Sequence, residues 1–241
     1  MTSDLVRRQF RLKETFATMI AAPRFMELAA RTIAAGRAAL EEYIARHPQF
    51  RNTLEPLAAA AAAPLLVHRM AEAASRVGVG PMAAVAGAIS QNTVETLVAA
   101  GASHVIMDNG GDIVLCIDRP VIIGIFTGPA TIRDIALRFL PRPGIFSVCT
   151  SSGTVGHSLS FGYADAATVI ARDGYLADAA ATALGNRVRK ATESEIGPAI
   201  RESLIDGVEG LLVVAKDRLG LGGELPEIIR VPIQTQIISK G

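Results

Sequence analysis

The chain predicts an α+β protein of mostly antiparallel sheets with helices packed on them. Three observations carry that expectation. Runs with strand-like alternation come in pairs joined by short turns, so they read as hairpins and not as strands alternating strictly with helices. Long stretches with helical spacing are gathered between residues 24 and 99. Half of the 241 residues are hydrophobic, ample for a core, and no linker, repeat or low-complexity tract divides them. Residues 1–241 therefore read as a single domain.

The elements follow in order. Val6, Phe10 and Leu12, then Phe16, Thr18 and Ile20, alternate as an N-terminal hairpin would. Phe25, Leu28, Ala29, Ile33, Leu40 and Ile44 recur at helical spacing, which predicts a long amphipathic helix over Arg24 to Arg46, ended by Pro48. His47 to Phe50 and Glu55-Pro56 make a connector. Pro64 opens a second helix that runs to Val77. His68 lies within it and is assigned no role. Gly78-Val79-Gly80-Pro81 breaks the chain, and Pro81 opens a third helix, Met82 to Ala99. Its Ala83, Ala84, Ala86, Gly87 and Ala88 allow close approach by another backbone or by a ligand. Two glycines before a helix start favour a turn and helix N-terminus that face an anion.

His104 to Met107 reads as a short buried strand, Asp108 to Asp112 as a turn and Ile113 to Ile117 as its partner strand. Pro120 to Phe126 is another strand. Thr127-Gly128-Pro129 reads as the cap of a helix over Ala130 to Leu140, closed by Pro141 and Pro143. Ala166 to Ala171 is a short apolar strand. A helix from about Tyr175 to Leu184 follows, with Gly185 as its C-cap. Glu193 to Ile205 is helical, Gly210 to Ala215 a buried strand, and Lys216 to Leu221 a turn away from it. Glu227 to Val231 and Ile233 to Ile238 are edge strands, with Pro226 and Pro232 limiting their pairing.

Composition excludes several classes. The 24 Lys+Arg are balanced by 23 Asp+Glu and no basic block stands out, which argues against nucleic acid as a partner. Trp is absent and Tyr is scarce, so no aromatic stacking platform is expected. Cys116 and Cys149 form no Cys-x-x-Cys pair and read as reduced thiols. Asp4, Arg7, Arg8, Arg11 and Lys13 stand where a signal peptide would need an apolar core. The most apolar run, Leu57 to Val67, is about half a membrane span and is broken by Pro64. A cytoplasmic protein without a membrane partner is expected, and a homo-oligomer is compatible with all of this.

The chemistry concentrates between Phe146 and Asn186. A core has no need of Thr150, Ser151, Ser152, Thr154, Ser158 and Ser160 so close together, whereas a loop that brings N–H and hydroxyl groups to a polar or anionic ligand does. Downstream, Asp178 and Thr182 stand at i and i+4, one turn apart on one helix face. A carboxylate and a hydroxyl suit a hard cation such as Mg²⁺, which keeps waters and borrows phosphate oxygens. The surrounding Ala177, Ala179, Ala180, Ala181 and Ala183 imply close packing, and a buried carboxylate requires a partner. The residues alone leave two readings open: a metal or phosphate site, or a plain loop beside an ordinary helix.

Four blocks carry a resemblance: Val79 to Ala88, Asn109-Gly110-Gly111-Asp112-Ile113, Cys149 to Ser158, and Ala177 to Asn186. Together they resemble a distinct branch of the ApbE-like (FAD:protein FMN transferase) superfamily, over most of the chain. The resemblance implies the ApbE-like fold and a small-molecule flavin or nucleotide ligand, with Mg²⁺ and FAD as the cofactors. It implies that Asp178 and Thr182 bind the metal, helped by a main-chain carbonyl between Gly80 and Ala88. Asn109, Gly110, Gly111 and Asp112, with Thr150, Ser151, Ser152 and Gly153, would hold the cofactor. His157, whose ordinary pKa suits a base, would take the proton of an acceptor hydroxyl. The chain departs from the flavin transferases after that histidine: Ser158-Leu159-Ser160-Phe161-Gly162 stands where they carry an Asp-Pro element. The Lys-Gly-x-x-x-Asp pattern upstream of the Gly-Gly strand is also replaced, by Gly80-Pro81-Met82-Ala83. The alternative the resemblance allows is a non-catalytic ligand-binding or accessory protein of the same fold, in sulfur assimilation.

Overall fold

A computed structural model describes residues 5–13, 15–128, 130–153 and 162–232. Strands β1 (Val6–Leu12) and β2 (Thr15–Ala21) form the N-terminal hairpin, with Val6 opposite Ala21 and Leu12 opposite Thr15. Helix α1 (Met26–Arg46) follows a single 3₁₀ turn at Pro23–Phe25, and the one-turn α2 (Gln49–Asn52) sits in the connector. Helix α3 (Leu65–Val77) starts at Pro64 and ends on Gly78 at φ 75, where the Val79 N–H returns to Ala74 O at 3.1 Å. A 3₁₀ turn, Pro81–Ala84, leads into α4 (Val85–Ala99). Strands β3 (Val105–Asn109) and β4 (Asp112–Cys116) are joined by Gly110 and Gly111 at φ 72 and 103. A two-residue hairpin of this hand needs positive φ at both central positions, which explains both glycines.

The second half contains β5 (Val121–Ile125), β6 (Ile135–Phe139), β7 (Phe146–Ser151), β8 (Ala166–Ala171), α5 (Gly174–Arg187), α6 (Glu193–Ser203), β9 (Val208–Ala215), β10 (Arg218–Gly223) and β11 (Glu227–Arg230). Among the described residues eight strands pair in the order β1-β2-β3-β4-β7-β8-β9-β10, and β11-β6-β5 make a second, three-stranded sheet. All pairings are antiparallel. The result is the α+β class, in three layers. Leu115, Phe146, Val148, Ile170, Leu212 and Val214 on one face of the large sheet meet Ile123, Ile125, Leu137 and Phe139 of the small one. On the other face, Met19, Met107 and Val114 pack against α1, α3 and α4, while Cys149, Val169 and Leu211 pack against α5 and α6. Period-two alternation along β7 sends Phe146 and Val148 one way and Cys149 the other. Among the described residues no helix is long and apolar enough to cross a membrane.

Four expectations are corrected. No helix occupies Ala130 to Leu140: Ile135–Phe139 is strand β6, held between β5 and β11. Its Ile135, Leu137 and Phe139 are buried and Arg138 exposed, a strand pattern that tertiary pairing enforces over helix-prone Ala and Leu. Gly185 does not cap α5, which continues to Arg187. The glycine at 162 gives the chain room there instead, since a Cβ on it would lie 1.8 Å from Gly185 O. The turn after β9 is only Lys216 and Asp217, and β10 begins at Arg218. Its glycines, which look like turn residues, let it pass under α6: a Cβ on Gly220 or Gly222 would come 2.3 Å from Ile196 or Ile200. Finally, the two glycines of Gly78–Pro81 serve the packing of the fold: Gly78 closes α3, and Gly80 lies against Thr53 O, which a Cβ on it would approach to 2.0 Å. The expected strand Ile233 to Ile238 lies outside the described residues.

Helix α5 is buried on nearly every side, and small alanines are what allow that. Its start is fixed by Asp173, whose side chain accepts from the N–H groups of Tyr175 at 2.8 Å and Leu176 at 3.4 Å. Asp173→Ala should lower stability by about 1 kcal/mol, the usual worth of such a cap, while Asp173→Asn keeps most of it. Urea unfolding checks this: the Ala variant should show an earlier midpoint at unchanged slope.

Candidate functional site

Four segments meet at one end of α4: its own first turn, the β3–β4 turn, the end of β7, and the second turn of α5. The joint exists because two glycines remove side chains from the crossing. A Cβ on Gly87 would lie 2.1 Å from Gly174 O and 2.7 Å from Asp178 Cβ, and one on Gly174 would lie 2.8 Å from Val114 Cγ2. At that separation the Gly87 N–H donates to Asp178 Oδ2 at 2.8 Å. Helix α4 has no side-chain cap of its own, since Ala84 stands at its N-cap. The carboxylate of α5 supplies the missing acceptor, and the N-terminal end of the helix dipole favours a negative charge there.

The other contacts close the joint. Asn109 Nδ2 donates to Ala86 O at 3.4 Å, and Ser90 Oγ donates to Asp112 O at 3.4 Å. One turn further along α4, Gln91 Oε1 accepts from the Gly174 N–H at 3.0 Å, and its amide donates to Glu95 at 2.9 Å. Glu95 receives a two-nitrogen fork from Arg69, whose guanidinium lies 4.2 Å over the Tyr175 ring. So α3, α4 and the start of α5 are tied in register beside Asp178.

Asp112 and Cys149 are direct neighbours across β4 and β7 and share the helix-side face of the sheet. The Cys149 thiol faces the Asp112 carboxylate and favours its charged form against the larger effect of burial. Asp178 is 8 % exposed. Burial pushes its carboxyl up to about 7, against the pull of the Gly87 and Ala86 N–H groups. Asp112 is held well above the usual carboxylate range by burial, with the charges of Asp178 and Asp108 adding to it. Cys149 is pushed far up by burial and then by both acids, so it stays a thiol donor and not a nucleophile. Two acids are thus close enough to feel each other's charge, and their strongest neighbours are acids and backbone N–H groups.

The expected cofactor residues are only partly gathered here. Asn109, Gly110, Gly111 and Asp112 form the rim. Thr150 lies on the far side of β7, where its hydroxyl bonds Thr168 at 2.9 Å. Three backbone donors anticipated for a ligand are satisfied within the fold: Gly111 N–H by Asp108 Oδ1 at 2.9 Å, Thr150 N–H by Gly111 O at 3.2 Å, and Gly153 N–H by Ala164 O at 3.0 Å. Ser151 and Ser152 carry β7 toward residues 154–161, which lie outside the described residues, His157 among them. Thr182 is half-buried on α5, one turn from Asp178. Sequence reasoning missed the Ala86–Gly87 seat and the Asp112–Cys149 pairing. The run of small residues at Ala83 to Ala88 was the signal for the first.

Among the described residues no set of three or more His, Cys, Asp or Glu side chains is placed to hold a metal ion. The donors at hand are Asp178, Asp112 and the Thr182 hydroxyl, an all-oxygen set of the kind a hard cation takes.

Comparison with known proteins fits this frame. A family model described as "AbpE bacteria" matches residues 9–205. A UPF0280 protein of Methanosarcina barkeri is 47% identical over 237 residues, covering 98% of this chain and 93% of the relative. The chain belongs to this family. Another UPF0280 protein, from Archaeoglobus fulgidus, is 39% identical over 239 residues, covering 98% and 99%. Among solved structures, the apo flavinyl transferase ApbE of Pseudomonas stutzeri matches with a TM-score of 0.60 at 13% identity, covering 91% of this chain and 94% of that one. The ApbE protein of Thermotoga maritima matches with 0.56 at 13% identity, covering 99% and 100%. At such identities the likeness is one of fold: the chain has the α+β fold of the solved ApbE proteins.

The raised carboxyls have a consequence for stability. Both titrate higher in the folded chain than the usual ~4 of an unfolded one, so in between the folded state binds more protons. Their contribution to the metal-free protein is fully present below about pH 4 and is lost as pH rises through about 7. With EDTA present, the urea midpoint of the wild type should fall between about pH 5 and 7, and that of Asp178→Asn should fall less. Equal falls in the two proteins would contradict the assignment.

Proposed function

We propose that this chain is an Mg²⁺-dependent flavin- or nucleotide-binding protein that transfers FMN from FAD to an acceptor hydroxyl, in the cytoplasm, with residues 1–241 working as one domain. The observation that carries the reading is the carboxylate pair, buried Asp178 and half-buried Asp112, close enough at the end of α4 for one charge to raise the other. Among the described residues neither acid has a basic partner; such groups in low dielectric are costly, and a hard cation relieves that cost. Asp178, Asp112 and Thr182 would hold it, with Asp178 aimed by the Ala86–Gly87 turn. A bound cation would neutralise charge on the pyrophosphate of the ligand.

The chain's own residues would do the rest. Asn109, Gly110 and Gly111, with Thr150, Ser151, Ser152 and Gly153, would line the bound flavin nucleotide. His157 would accept the proton as the acceptor oxygen bonds to the FMN phosphorus and the pyrophosphate P–O bond breaks, releasing AMP. The solved ApbE proteins named as flavin transferases support this reading at the level of fold.

A second reading, a ligand-binding or accessory protein without transfer, is favoured by two features: the absence of Asp-Pro after His157, and the N–H groups of Gly111, Thr150 and Gly153 already spent inside the fold. One experiment separates them. With Mg²⁺ and FAD at ~100 times the dissociation constant, thermal and chemical unfolding should show the wild type stabilised by ~2.7 kcal/mol, with Asp178→Asn losing most of that gain. Chromatography of the same mixtures should show AMP released by the wild type. Equal stabilisation of both proteins would remove Asp178 from the site. Binding without AMP would leave the accessory reading standing.

A further inference from the structure

A pocket that shares no residue with the carboxylate joint lies beyond the C-terminal end of α5. It has a volume of about 410 Å³ and is lined by Tyr163, Arg189, Lys190, Ala191, Thr192 and Lys216. Three separate segments build it: the lead into β8, the link between α5 and α6, and the β9–β10 turn. Three of its six lining residues are cationic and none is acidic, in a chain whose charge is otherwise balanced. Among the described residues, Arg189, Lys190 and Lys216 form no ion pair, whereas Arg187 nearby reaches Glu202 at 3.7 Å. Glu193 follows Thr192 but lines the separate groove between α6 and β10.

The backbone that presents these side chains is pinned. The Tyr163 N–H donates to Val188 O at 2.7 Å. The Lys216 N–H donates to Oδ2 of the buried Asp165 at 2.6 Å, and Lys216 O accepts from Thr131 and Ile132 at 3.2 and 3.4 Å. Lys216 sits at φ 57, in the left-handed region where glycine or asparagine would cost less. Turn geometry therefore gives no reason for a lysine at this position. Three like charges facing one space repel each other, and a multiply charged anion removes that repulsion. The fork of Arg189 suits phosphate oxygens and the two ammoniums add charge without demanding geometry. Tyr163 is 58% exposed and offers a ring face to which an aromatic base can stack.

We propose that this pocket binds the di- or triphosphate tail of a nucleotide, with its base against Tyr163. The site needs no divalent cation and does not depend on the carboxylate pair. The test is calorimetric titration with ADP and with inorganic pyrophosphate, in EDTA, on wild type, Asp178→Asn, Tyr163→Ala and the double variant Lys190→Gln, Lys216→Gln. The wild type and Asp178→Asn should bind both probes equally well. The double variant should bind both at least tenfold more weakly with an unchanged melting temperature, and Tyr163→Ala should weaken ADP but not pyrophosphate. Wild-type binding absent at millimolar probe, unchanged affinity in the double variant, or a single-stranded oligonucleotide that outcompetes ADP would each overturn the proposal. Because Mg²⁺ is absent throughout, failure here says nothing against the carboxylate site.

Discussion

The hydrogen bond from the Gly87 N–H to the Asp178 carboxylate is the contact on which the arrangement depends. It lets one helix cap another across 91 positions of sequence. That contact requires α4 and α5 to cross with almost no side chain between them, which Gly87, Gly174 and the alanines of α5 permit. It also places a carboxylate where burial penalises charge and a helix end rewards it. Burial wins, and the group is left near the point where it changes charge at physiological pH.

The large sheet brings the second acid to the first. β4 and β7 pair so that Asp112 and Cys149 share the face toward the helices, and the tight Gly110-Gly111 turn ends β3 and β4 beside the first turn of α4. Burial and the two acids keep the Cys149 thiol protonated, so the joint holds two carboxyls and a neutral thiol. Both carboxyls are held above the usual carboxylate range, so neither is set apart as the acid or the base of a pair with separated roles.

Most of the architecture was legible in the sequence because its signals are local. The alternation of β2, the helical spacing of α1, the Pro64 start of α3 and the apolar run of β8 depend on neighbours in the chain. The misreadings share a different cause. β6 and β10 are strands because of what lies beside and above them: β5 and β11 flank Ile135–Phe139, and the ridge of Ile196 and Ile200 rests on Gly220 and Gly222. The end of β7 hides because Cys149 and Thr150 open a hydroxyl-rich stretch that reads as a loop from Cys149 to Gly162, yet Cys149 fits between the sheet and α5 while the Thr150 hydroxyl bonds Thr168 on the other face. In the site, Asp178 and Asp112 stood out from the sequence. The seat at Ala86–Gly87 did not, because a backbone donor has no residue signature. The hydroxyl-rich stretch raised the opposite problem: Thr150 and the N–H groups near it turn out to hold the sheet and its turns together.

The central claim is that Asp178 is a buried, high-titrating carboxylate that a hard cation would bring into its charged form. Carbon-13 NMR of the Asp178 carboxyl, followed from acid to alkaline pH without and then with Mg²⁺, reads this directly. The account predicts a titration near about 7 in the metal-free protein, displaced far downward when Mg²⁺ is present. A midpoint at the ordinary value of ~4, the same with and without Mg²⁺, would contradict it.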